Sequence, residues 1–125
     1  MNAVGAIRTL IAANSTANGL LSGRVYSDVL PQNSSYPAVA VNLISTSPTN
    51  TKTDASDLDF LLMQVDVYST TLASAAETAE AIRGAIDYKT SGSLAHIEFK
   101  NEYDAFSGKP ELHRRLQEYT ISLQR

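Results

Sequence analysis

Between residues 58 and 87 the hydrophobic period changes once, and that change limits the fold more than any other feature of the chain. From 58 to 68, Leu61, Met63, Val65 and Val67 alternate with Phe60, Leu62, Gln64, Asp66 and Tyr68, which is the two-residue period of a strand. From 70 to 87, Leu72, Ala75, Ala76, Ala79, Ile82 and Ile86 recur at helical spacing, while Glu77, Glu80 and Arg83 point away. A strand with one apolar face that runs directly into a helix with one apolar stripe must bury the two together. The small alanine side chains let the helix lie close to the sheet. Ser74-Ala75-Ala76-Glu77 has capping-box spacing, with Thr70 and Thr71 as the other candidate caps. The strand's other face is apolar at Phe60 and Leu62 and polar from Gln64 onward, which predicts partial cover by a neighbouring subunit.

The flanking segments extend this unit. Val4, Ile7, Leu10 and Ile11 predict a helix over Ala3–Ala13, interrupted by Asn14 and Ser15; a short helical turn over 16–21 ends at Gly23. A short strand follows over 24–26. Pro31 and Pro37 make 30–37 a connector. Residues 38–45 read as a strand with Val39, Val41 and Leu43 on one face and Ala40, Asn42 and Ile44 on the other. Two further strands are expected over about 93–101 and 115–124, the last with Tyr119, Ile121 and Leu123 on one face. Residues 45–57 contain no large hydrophobe and read as a long loop between two antiparallel strands. Residues 103–113 include Gly108 and Pro110 and read as a turn or longer excursion. The expectation is one α+β domain spanning 1–125. It has a mainly antiparallel sheet of four to five strands, with the N-terminal helix and the Ala-rich helix packed on one face.

Composition narrows the chemistry. Apolar residues make up 43% and charged residues 18% of the 125, which suits a folded globular domain. Cysteine is absent, which removes disulfides, thiol catalysis and cysteine-based zinc sites together. Net charge is −3, and Arg114-Arg115 is the single adjacent basic pair, too little for a nucleic-acid footprint. The first eight residues do not read as a signal peptide, and no apolar run approaches the ~20 residues of a membrane helix. His96 and His113 fall in different elements, and a metal site would need both to converge with Glu98 or Glu111; they read instead as strand-face and turn residues. Asp54, Asp57, Asp59 and Asp66 lack the central glycine of a calcium loop and read as solvated acids. No nucleophile elbow, phosphate-binding glycine loop or dinucleotide fingerprint is present. No enzymatic activity, cofactor or metal is therefore expected.

Several segments, in order, carry a family likeness: Gly23-Arg24-Val25-Tyr26, Leu30-Pro31-Gln32, Tyr36-Pro37-Ala38-Val39, the strand and Ala-rich helix over 61–86, Glu102-Tyr103-Asp104, and Arg114-Arg115-Leu116-Gln117-Glu118-Tyr119. Taken together they resemble the tail-completion, or tail-terminator, proteins of long-tailed bacteriophages across nearly the whole chain. The resemblance implies a non-enzymatic virion subunit, made in the host cytoplasm, that forms a homo-oligomeric ring, commonly hexameric. Its implied partners are other copies of itself, the tail tube protein and the head-completion or connector protein; DNA passes without specific binding, and no membrane is involved.

The segments 45–57 and 103–113 are the expected contacts, with Asp54, Asp57, Tyr103, Asp104, Arg114 and Arg115 as interface candidates. In a ring, Asp54 and Asp57 are expected to border the channel and repel phosphates. The other readings are a head-completion (neck) protein and a small α+β module binding a ligand or peptide.

Overall fold

The computed structural model describes residues 3–27, 29–31, 34–50, 55–89, 94–105 and 112–124. The described elements are, in chain order, α1 (Ala3–Ala13), α2 (Ser15–Leu21), β1 (Val25–Ser27), β2 (Ala38–Asn50), β3 (Ala55–Ser69), α3 (Leu72–Ile86), β4 (Leu94–Ala105) and β5 (His113–Gln124). The strands form one five-stranded sheet in the order β1-β2-β3-β5-β4. β1 runs parallel to β2, and every other pair is antiparallel. α1 lies over β1 and β2, α3 lies over β3 and β5, and the helices touch one another. This is the expected α+β arrangement of a mainly antiparallel sheet with helices on one face.

Local chemistry starts and stops the helices where their side chains allow. Asn14 accepts the Ala17 N–H through Oδ1 at 2.9 Å and caps α2. That helix ends at Ser22 and Gly23, both left-handed at φ 48° and 80°. Arg24 then donates to the carbonyls of Pro37 at 2.9 Å and Leu20 at 3.4 Å, tying the end of α2 to the start of β2. The cap of α3 is Thr71, whose Oγ1 accepts the Ser74 N–H at 3.1 Å, so the Ser74–Glu77 spacing is not the operative cap. Thr71→Ala is expected to lower the unfolding free energy by about 1 kcal/mol in a chemical melt, with the fold unchanged.

The core joins both layers. Ile7, Ile11 and Leu21 from the first two helices meet Val39, Val41, Leu61, Met63, Val65, Val67, Ile82, Ile86, Leu94, Ile97, Tyr119 and Ile121. Tyr119 is buried with its ring edge-on to Phe99, the centroids 5.6 Å apart. Its hydroxyl donates to Gln117 Oε1 at 2.8 Å, and Gln117 Nε2 donates to the Ala79 carbonyl and to Glu102 Oε1, both at 2.8 Å. Burial pushes the Tyr119 hydroxyl far above its ordinary pKa, so it serves as a neutral donor in this chain of bonds. Gln117 thereby pins β5 to α3 and β4 from inside the core.

Four expectations are corrected. Residues 45–57 are not a long loop: 45–50 continue β2, 55–57 open β3, and Asn50 pairs with Ala55. A two-stranded ribbon satisfies its backbone by cross-strand pairing and needs no apolar core, so the missing hydrophobes misled the reading. Residues 103–113 are not one excursion either, since Tyr103, Asp104 and Ala105 complete β4 and His113 opens β5. The buried arc of α3 is Ala75, Thr78, Ala79, Ile82, Ala85 and Ile86, with Leu72 about half exposed at its first turn. Leu43, expected on the core face, lies beyond the part of β2 that β1 flanks and is 43% exposed.

Candidate docking surfaces at the two ends of the sheet

At one end, β2 and β3 outrun their neighbours. β5 accompanies β3 only from Leu58, opposite Gln124, and β1 accompanies β2 only from Val39 to Val41. Beyond those limits the two strands form an open ribbon, with register shifts between Leu43 and Ser45 and between Pro48 and Asn50. Pro48 is compatible with this position because, among the described residues, no strand pairs with the outer side of β2 there. Leu43, Ile44 and Phe60 stand 43%, 50% and 52% exposed at the base of the ribbon. Asp57 is the third residue of β3, within the ribbon, and Asp54 lies outside the described residues.

The other end gathers the remaining candidates. Arg115 lies opposite Asp104 on β4 and Val67 on β3, and Arg114 lies opposite Ala105 and Tyr68. Arg115 grips Asp104 with two bonds, Nε to Oδ1 at 2.8 Å and Nη2 to Oδ2 at 3.4 Å, and its Nη1 is 3.8 Å from Glu102 Oε2. The Arg115 hydrogen bond holds the Asp104 carboxyl below the usual aspartate range, and the same bond raises the Arg115 pKa. Arg114 points to the opposite face, where its Nη2 is 3.1 Å from Asp66 Oδ2 and its guanidinium sits 5.8 Å from the Tyr68 ring centroid. Asp66 also accepts from Gln64 Nε2 at 2.8 Å. Burial raises the Tyr68 hydroxyl pKa, with Arg114 opposing it. Tyr103 stands exposed opposite Leu116 on that same face.

Strand alternation thus splits the one basic pair of the sequence across the two faces of the sheet, and each arginine is neutralised there by its own carboxylate. The interface candidates among the described residues do not converge. Asp57 and the residue facing Arg115 are ten positions apart on β3, about 33 Å along an extended strand. Asp66, grouped by sequence with the solvated acids, is buried in an ion pair; its place inside the clearest strand was the available signal. Gln117 was missed as a structural residue, although it occupies the same alternating face as Tyr119 and Ile121.

His96 sits at the bulge between Ala95 and Ile97 with positive φ, near the end of β5 that carries Ile121, whereas His113 starts β5. The register therefore separates the two imidazoles by most of a strand. Among the described residues no group of three His, Cys, Asp or Glu is placed to hold a metal ion, and no helix is long and apolar enough to cross a membrane.

A family model for "Tail completion protein gp17" matches residues 5–124. No curated protein matches the chain. A solved structure described as "Virion of native gene transfer agent (GTA) particle" contains a chain that superposes with a TM-score of 0.78. The superposition covers 98% of this chain and 95% of that one at 17% identity, a likeness of fold.

Proposed function

Because this chain belongs to the tail completion protein gp17 family and has a role in phage tail completion, we propose that its copies form a hexameric ring that caps the tail tube and joins it to the head connector. The supporting observation is the separation of two unlike surfaces at opposite ends of one rigid sheet. One end is a projecting ribbon with Leu43, Ile44 and Phe60 exposed at its base, and the other carries two ion pairs on opposite faces of the sheet, Arg115 with Asp104 and Arg114 with Asp66. A subunit that joins two different partners needs two different ends. The mechanism is steric and interfacial. A closed ring seated on the tube leaves no surface on which another tube ring can add, so length growth stops.

In this reading the apolar ribbon base is buried against a partner on assembly, while Tyr103, Asp104, Arg114 and Arg115 border the contact at the other end. Asp54 and Asp57 face or border the channel, where fixed negative charge keeps phosphates moving, since cations there would hold DNA in a salt-dependent manner. Assembly takes place in the host cytoplasm, with the ring retained in the virion.

The test is electron microscopy of particles made without this protein. Overlong tails, or tails unjoined to heads, are the expected outcome. Normal tails attached to heads would sink the proposal, and tails of normal length lying free beside heads that leak DNA would move the protein to head completion.

A further inference from the structure

We propose that the ring closes head to tail through opposite charge, the α1–β1 flank of one copy seating against the α3–β4 flank of the next; the inference rests on the ring reading above. The strand order leaves β1 and β4 as the two edges of the sheet, at opposite sides of the molecule. The helix layer builds each edge into a flank, with α1 beside β1 and β2 and α3 over β3 and β5. Contact between unlike flanks repeats until a ring closes, whereas contact between like flanks stops at two copies.

The flanks differ in charge. Residues 3–27 contain Arg8 and Arg24 and no carboxylate; Asp28, the next acid, lies outside the described residues. Arg24 is committed to backbone carbonyls. Arg8 is exposed, donates to Ser27 Oγ at 3.2 Å, and makes no ion pair among the described residues. It borders a shallow groove whose other walls are Gly5, Thr9, Ala12, Gly23 and Val25, small enough to admit a partner's long side chains.

On the opposite flank most cations are already paired, Lys89 just past the end of α3 being the exception among the described residues. Arg83 pairs with Asp87 at 3.3 Å, Lys100 with Glu98 at 3.4 Å, and Arg115 with Asp104 and Glu102. Glu80 lines the cleft between α3 and the sheet beside Arg83, Glu102 and Arg115, is exposed, and makes no ion pair among the described residues. Among the described residues, an arginine that makes no ion pair therefore marks one flank, and carboxylates that outnumber the cations mark the other. Pairing β4 with its own copy would set Glu98, Glu102 and Asp104 against themselves. β4 is also bulged between Ala95 and Ile97 and between Phe99 and Asn101, which disfavours a continuous strand-to-strand ladder. The contact is thus one of side chains, steered by charge.

The experiment uses the full chain with Arg8→Glu, Glu80→Lys and the double reversal, alone and added to tail tubes purified from particles lacking this protein. Both positions are exposed, so unchanged melting curves confirm intact folding before assembly is scored. Sedimentation velocity and micrographs of the tubes report ring formation. Each single reversal is expected to raise the protein concentration needed for rings roughly tenfold, and the double reversal to restore it. An equal mixture of the two single variants should also form rings, because every contact then joins opposite charges. Rings that form equally well with either single reversal overturn the flank assignment and leave the ring reading standing. A dimer as the end state overturns head-to-tail closure. Wild-type protein that forms no ring, in solution or on tubes, overturns the ring reading itself.

Discussion

Val65→Asp and Ile82→Asp should each abolish the cooperative thermal melt of the domain. Val65 lies between Val41 on β2 and Gln117 on β5, and its side chain is fully buried beneath the helix layer. Ile82 is equally buried on the inner face of α3. A carboxylate at either position loses its water and gains no built-in cation, at a cost of several kcal/mol. Total stability of such a domain is about 5–15 kcal/mol, so each substitution takes a large part of it. Circular dichroism on heating checks the result. A cooperative melt near the wild-type midpoint for either variant would show that the sheet and helix do not meet as described.

Asp66→Ala is expected to be the most damaging change at a polar residue. The Asp66 side chain is 6% exposed, and it holds Arg114, itself only 26% exposed, across two strands. Removing the acid takes from the partly buried Arg114 guanidinium its 3.1 Å carboxylate contact and takes the acceptor from Gln64 Nε2. Breaking one side of such a pair costs about 3 kcal/mol. Removing both charges costs less than the two single losses together, because neither charge then stays behind without the other. Urea melts of Asp66→Ala, Arg114→Met and the double variant measure that coupling. Strictly additive losses would mean that the pair contributes nothing beyond its separate side chains.

The candidate site was partly legible before the structure. That the two segments over 45–57 and 103–113 differ from the core was visible in the absence of large hydrophobes from the first and their small number in the second, and the described parts of the two lie toward opposite ends of the sheet. Their form was not legible. Hydrophobic patterning reports burial, and a hairpin ribbon held by its own backbone bonds leaves no such pattern to read. The exposed Leu43 and Ile44 show the converse failure, since strand alternation names a face but not how far the covering helices extend along it.

The sequence by itself determined the switch from strand to helix near residue 70, the inward faces of β3 and α3, the N-terminal helix, the α+β class and the family likeness. Each of these depends on relations within a few residues, where backbone geometry sets which side chains share a face. Tertiary structure alone decided the strand order, the parallel placement of β1 and the partners of the buried polar groups. Asp66 finds Arg114 from 48 positions away, and Gln117 reaches the Ala79 carbonyl across 38. No local period encodes such pairings. They exist because a polar group enclosed by packing must find a partner or cost the fold its desolvation energy, and which groups are enclosed is known only once the layers have met.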